Sequence, residues 1–239
     1  MPSVRLPDGS FRDYPAAARV ADCIADAAAA SGKKAKQPPI AALLDGKLVG
    51  LDAPLPAEGS PTVEPLSPGD PRALPVMRHS AAHVMARAVM RLFEGVELAF
   101  GPTVGEGFYY DMRASRPITD EDLPAIEVEM RRIIEADEAF ERVEVPRAKA
   151  IEIVGGLNQP LKVEHIETGL AAHPTLSFYR QGEFVDLCRG PHVPSPGCIG
   201  AVKLTSIAGA YWKGDAANAQ LQRLYGTAWF TQEDLDDHL

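Results

Sequence analysis

Residues 76–94, VMRHSAAHVMARAVMRLFE, decide the fold. Apolar side chains recur there at three- and four-residue spacing, the period of an α-helix, and Gly95 follows as a stop. The same period sets His79 and His83 four residues apart, with both imidazoles on one helix face about one turn from each other. The sequence downstream reads as elements packed around that helix. Residues 98–112, LAFGPTVGEGFYYDM, read as strand, glycine-rich bend and strand. Thr119 with Asp122 three residues later marks the start of a charged helix running to about Phe140. ERVEVP (141–146) reads as a strand, 147–154 as a helix stopped by Gly155-Gly156, and LKVEHIE (161–167) as a strand carrying Lys162. LSFYRQGEFVDLC (176–188) reads as a hairpin about Gln181-Gly182, 201–212 and 221–229 as two closing strands, and Thr231 opens a last helix.

Upstream, residues 1–60 read as a small mixed α/β unit. Val4-Arg5-Leu6 and Phe11–Tyr14 flank a Pro7-Asp8-Gly9-Ser10 turn, and the alanine-rich stretch 16–31 has helical spacing and a stop at Gly32. IAALLDGKLVGL gives two strands about Asp45-Gly46, a strong short hairpin signal. Residues 54–75 hold seven prolines and few large apolar groups, so they read as the end of a first domain plus a linker. The expected division is 1–62 for the small domain, 63–75 for the linker, 76–230 for the large domain and 231–239 for the start of a further helix.

Composition narrows the function class. The chain has 239 residues and a net charge of -9, with an ordinary apolar fraction of 46%. An acidic balance argues that this piece alone holds nucleic acid weakly. Three cysteines, Cys23, Cys188 and Cys198, do not form a secreted disulfide framework and fit a reducing compartment. No run of about 18 apolar residues and no signal peptide is apparent, so the expected location is the cytoplasm.

Two patterns carry chemistry. The His79–His83 pair alone equally describes two packed histidines. Cys188-Arg189-Gly190-Pro191-His192 alone equally describes a cysteine near a turn histidine. Together, His79, His83, Cys188 and His192 form a set able to hold zinc tetrahedrally, or to line a site that holds a substrate and a water. Asp186 shares a strand side with Cys188, and Lys162 lies elsewhere in the same domain; such a pair can orient an imidazole or a water, though either is equally a surface charge. Gly101, Pro102, Gly105 and Gly107 surround the FYYD segment, where backbone can approach a ligand and Tyr109 and Tyr110 alternate sides. Cys23 reads as core, Cys198 as outside the set, and His165, His173 and His238 as lacking partners. Trp212 and Trp229 read as core anchors. Lys33, Lys34, Lys36, Arg131, Arg132, Lys203, Lys213 and Arg223 are candidate phosphate contacts, and equally plain solvated charges.

RHSAAHVMARAV, FGPTVGEGFYYDM, VDLCRGPHVP and SIAGAYWKGDAANAQLQRLYGTAW resemble the second, editing domain of bacterial-type threonyl-tRNA synthetases. VRLPDGSFRDYP and the Asp45-Gly46 hairpin resemble the small β-grasp (TGS) domain that precedes it. The resemblance implies an α+β fold: a small β-grasp domain, then a larger α+β editing domain with an antiparallel sheet and a long HxxxH helix. It implies hydrolysis of mischarged seryl-tRNA(Thr), with His79, His83, Lys162, Asp186, Cys188 and His192 as catalytic residues and Tyr110, Gly101 and Arg189 as substrate-binding residues. It favours no metal for editing; zinc, if present, would sit on His79, His83, Cys188 and His192. The implied partners are the acceptor end of tRNA(Thr) carrying serine and the rest of a synthetase, dimeric in the full enzyme, with no membrane. The sequence holds no ATP-binding core motifs, so it is not expected to charge tRNA. Alternatives are a free-standing editing factor, an alanyl-type editor, an unrelated zinc hydrolase and a binding-only regulatory module.

Overall fold

The computed structural model describes residues 1–15, 17–32 and 37–239. Lys33, Lys34 and Lys36 lie outside them. The chain divides into two compact units, Met1–Met77 with Gly190–Pro194, and Arg78–Arg189 with Ser195–Leu239.

In the first unit, β1 (Ser3–Arg5) and β2 (Phe11–Asp13) form an antiparallel pair. Helix α1 (Val20–Ser31) ends at Gly32, whose φ of 62° closes the helix in the left-handed conformation. β3 (Ala41–Leu44) and β4 (Lys47–Val49) form the hairpin read from Asp45-Gly46, and both turn residues have positive φ (50° and 76°). β5 (Val63–Leu66) pairs antiparallel with β3. Within the stretch read as a linker, proline density masked an edge strand, which tolerates Pro65 because β5 pairs on one side only. The core of this unit is Val4, Leu6, Tyr14, Val20, Cys23, Ala42, Leu55 and Val63, so Cys23 packs as expected.

Helix α2 (Leu74–Leu92) is introduced by a short turn at Pro71–Ala73, where Asp70 accepts the Arg72 backbone N–H. Every residue from Ser80 to Val89 is buried, so the helix is enclosed on all sides, with alanines at 81, 82, 86 and 88 allowing close approach. β6 (Glu97–Leu98), β7 (Thr103–Val104) and β8 (Gly107–Arg113) follow. Helix α3 (Leu123–Ala136) follows a reciprocal capping box between Thr119 and Asp122 and stops four residues before the expected end, at a left-handed Asp137. β9 (Glu141–Pro146) leads to α4 (Arg147–Gly156), which absorbs the glycine pair expected to end it, and then to α5 (Pro160–Thr168).

The strand expected at 161–167 is thus a helix. Pro160 occupies its first turn, where a missing N–H costs nothing, and burial falls on Leu161, Lys162 and Ile166 rather than on alternate residues. β10 (Thr175–Gln181) and β11 (Phe184–Leu187) form the next hairpin, with Gln181 facing Phe184, so its two turn residues are Gly182 and Glu183. β12 (Ala201–Tyr211) and β13 (Gln220–Trp229) are antiparallel, with a bulge between Leu204 and Ser206, and α6 (Gln232–His238) is capped by Thr231.

Two antiparallel sheets result, one ordered β12-β13-β8-β6 with β7 on β8, the other β11-β10-β9. The fold is α+β with antiparallel sheets. α4 and α5 cover the smaller sheet through Ala150, Val154, Ile166, Leu176 and Phe178. None of the helices, among the described residues, is long and apolar enough to cross a membrane.

Candidate functional site

Four elements of the second unit bring most of the predicted groups together. His79 and His83 share a face of α2, with ring centroids 5.2 Å apart in an edge-on arrangement. The end of the β10–β11 hairpin brings up Asp186 and Cys188. α5 supplies Lys162, and β8 supplies Tyr110. Cys188 Sγ lies 3.4 Å from His79 Nε2, and His83 Nε2 lies 3.6 Å from Asp186 Oδ2. Lys162 Nζ donates to Asp186 Oδ1 at 2.8 Å and to Tyr110 Oη at 3.3 Å, and Tyr110 Oη donates to Asp186 Oδ2 in a short hydrogen bond.

The cluster is layered. Lys162, Asp186, Tyr110 and His83 are buried, whereas His79 and Cys188 are only half-buried. Burial decides the charge states of the inner layer. It pushes the His83 imidazolium down to about 3, so the ring is neutral near pH 7. It also raises the Tyr110 phenol, helped by the Asp186 carboxylate, so Tyr110 remains a donor. Burial is the largest influence on Asp186 and would raise it, but the Lys162 ammonium, the nearby His83 and the hydrogen bonds from Lys162 and Tyr110 together hold the carboxyl below its ordinary value. The inner layer therefore holds one cation and one anion in contact, with the Tyr110 phenol hydrogen-bonded to both and a neutral imidazole beside the carboxylate. Lys162 also faces the Phe100 and Tyr110 rings, 5.8 and 5.7 Å from their centroids.

The donor atoms of His79, His83 and Cys188 lie within 4.8 Å of one another, a His/Cys group able to bind a metal ion and compatible with zinc by its nitrogen and sulfur donors. His192 is buried and follows Cys188 by four residues. Gly101 lies against the face of Tyr110, whose ring atoms occupy the place a Cβ would take. Arg189 is exposed, with Nη2 3.4 Å from His173 Nε2.

Three histidines expected to be alone have neighbours. His165 packs edge-on to Phe100 at 4.8 Å, His173 meets Arg189, and His238 lies 3.5 Å from Glu106 and packs on Trp229. These contacts join residues far apart in sequence, which spacing does not reveal. Trp212 is buried against Leu161 and Leu221, as expected of a core anchor, while Trp229 is partly exposed and carries Arg78 over its ring at 4.5 Å. Arg223, read as a phosphate candidate, is engaged in a bidentate pair with Asp111 and stacks on Tyr109 at 3.9 Å. The sequence reading passed over Arg87 and Glu183, which meet beside the site. Their signal was present: Arg87 continues the four-residue stripe of His79 and His83.

Residues 176–225, spanning the hairpin and most of the long strand pair, match the family described as the Threonyl and Alanyl tRNA synthetase second additional domain. Nearly the whole chain is also similar to threonine–tRNA ligases: 50% identical over 240 residues to that of Rhodopirellula baltica, covering 99% of this chain and 32% of the relative. The identity is 47% over 237 residues with the Geobacter sp. (strain M21) ligase and 43% over 236 residues with that of Anoxybacillus flavithermus, each covering 99% of this chain and 36% of the relative. The chain thus spans about a third of the length of the curated relatives it matches. Together the matches make this chain similar, over nearly its whole length, to part of threonine–tRNA ligases, with residues 176–225 similar to the additional domain described for threonyl and alanyl enzymes.

Proposed function

We propose that the second unit hydrolyses the ester of seryl-tRNA(Thr), releasing serine and tRNA, and that the first unit is a β-grasp (TGS) module. The observation that carries the reading is the layered cluster, in which a half-buried imidazole and thiol stand in front of a neutralised Lys162–Asp186 pair. The need for such a site is energetic. Threonine and serine differ by one methyl, worth only about 1–3 kcal/mol of discrimination, so a synthesis site alone lets serine through.

In this reading the seryl ester lies against His79 and Cys188, and His79 accepts a proton from the attacking water. Lys162 steadies that water or the developing oxyanion from behind, held in place by Asp186. Asp186 has both oxygens taken by Lys162 and Tyr110, so a contact to the serine ammonium or hydroxyl requires one of those bonds to open. Gly101 and Tyr110 shape the binding side. His192, by its spacing from Cys188, is assigned to the same set, and Arg189 to the RNA phosphates. No metal is needed for these steps. The partners in this reading are the acceptor end of tRNA(Thr) and the remainder of a dimeric synthetase, in the cytoplasm.

A deacylation panel tests the proposal. Ser-tRNA(Thr) should be hydrolysed, Thr-tRNA(Thr) spared, and Ser-tRNA(Ala) left largely intact. Preference for Ser-tRNA(Ala) would indicate an alanyl-type editor, and no hydrolysis of any would leave a binding module. Chelation should leave the rate unchanged; a rate that collapses with chelator and returns with zinc would favour the zinc hydrolase reading through His79, His83 and Cys188. Lys162→Ala should abolish deacylation in the folded protein, and normal activity in that variant would remove Lys162 from the mechanism.

A further inference from the structure

Along α2, His79, His83, Arg87 and Arg91 recur every four positions and so share one face. They meet the β10–β11 hairpin in reverse chain order. His79 faces Cys188, His83 faces Asp186, and Arg87 faces Glu183 through Nε–Oε1 at 3.0 Å and Nη2–Oε2 at 2.5 Å. The two repeats nearly match. Four helical residues rise about 6 Å and two extended residues about 6.7 Å, so a helix and an antiparallel strand can be rungs of one ladder. The three-residue step from Asp186 to Glu183 is taken up where the strand enters its turn.

The rungs differ in stiffness. The imidazole contacts at 3.4 and 3.6 Å are loose, whereas a bidentate guanidinium–carboxylate pair fixes both distance and angle. The Arg87 side chain is 1% exposed and its Nη2 also holds Glu138 at 2.5 Å, tying the loop after α3 to the same point. Gly182 makes room for this: a Cβ there would run into Arg87 Nη2 and the Glu138 carboxylate, and its φ of 57° suits glycine besides.

We infer that Arg87 and Glu183 are a positioning pair, which fixes the axial register of α2 on the hairpin and thereby the His79–Cys188 and His83–Asp186 separations. Neither residue touches the reacting atoms. In its consequence for catalysis the inference rests on the deacylase reading above; in its geometry it does not. A shift of about 1 Å in a catalytic group costs up to about a hundredfold in rate, so loosening one rung has a kinetic signature.

The test uses the full chain and two conservative variants, Arg87→Lys, which keeps charge but loses the fork, and Glu183→Gln, which keeps shape. Side-chain ¹⁵N spectra of the histidines at one fixed pH are compared with melting curves and with kcat and KM for seryl-tRNA(Thr). Both variants should remain folded, shift the His79 and His83 imidazole resonances, and lose about tenfold in kcat with KM nearly unchanged. Arg113→Lys, which loosens the bidentate surface pair with Glu97, should leave all of these alone. Unmoved imidazole resonances in a folded variant overturn the inference whatever the activity does. If Arg87→Lys does not fold, Glu183→Gln decides, its carboxylate being 58% exposed; failure of that variant to fold would overturn the inference, making the pair a stability element. A wild-type chain without deacylase activity would sink the deacylase reading alone, and the resonances would still decide the register.

Discussion

A buried neutral histidine makes stability depend on pH, and His83 supplies that dependence here. Its imidazolium forms near pH 6.5 when the chain is unfolded and near pH 3 when it is folded. Between those values the unfolded chain binds the extra proton, so stability falls as pH drops through the window, by at most about 1.4 kcal/mol per pH unit. At the acid end of that window Asp186 acts in the same sense: its folded carboxyl titrates below the ordinary 3.8, so the stability it contributes is present above that value and lost on further acidification. Urea midpoints measured from pH 7 to 4 should decline steeply for the wild type and less for His83→Gln. Parallel curves for the two proteins would show that His83 is not buried as a neutral ring. Removing the cation is a sharper insult. Lys162→Met leaves Asp186 as a lone buried charge and should cost about 3–5 kcal/mol, much of it regained in Lys162→Met/Asp186→Asn, where no charge remains. Equal melting temperatures for the single and double variants would contradict the pairing.

At the scale of elements, Gly101 links a bend to the site. Its missing side chain lets the Tyr110 ring lie flat on the backbone, and Tyr110 in turn donates to Asp186. Gly101→Ala should displace that ring, lower deacylation by about tenfold or more and leave the first unit folded; the comparison is kcat beside near-ultraviolet dichroism, and an unchanged kcat refutes the link. The elements also show what sequence conveys. α2 and the two hairpins were legible because each has its own period and its own stop: His79 and His83 at helical spacing, Asp45-Gly46 and Gly182 with positive φ. α5 was not, because LKVEHIE begins by alternating apolar and polar residues as a strand does, and only tertiary packing buries its residues together: Ile166 against α4, Leu161 against Trp212 and Leu221, and Lys162 on Asp186 and Tyr110. β5 was hidden by its prolines. The histidine–thiol group was legible from spacing, whereas the Lys162–Asp186–Tyr110 contacts are tertiary and span 24 to 76 positions.

For the whole molecule the governing quantity is charge against a polyanion. The chain carries 24 basic and 33 acidic residues, a net charge of -9, and several of its arginines are already spent on internal carboxylates, among them Arg87, Arg91, Arg113, Arg116 and Arg223. The acidic balance works against gripping the body of a tRNA. In the proposed setting the remainder of a synthetase holds the RNA and presents its acceptor end at high effective concentration, so the editing unit needs little affinity of its own. The chain by itself should therefore deacylate seryl-tRNA(Thr) with a high KM. Each phosphate contact it does make releases counterions, so KM should climb about tenfold or more between roughly 50 and 200 mM salt, while kcat, set by the neutralised inner layer, stays nearly flat. Steady-state kinetics across that range separate the two parameters. A KM as low as that of a full-length synthetase, or one indifferent to salt, would mean that the isolated chain carries its own tRNA-binding surface and that tethering is not what brings substrate to the site.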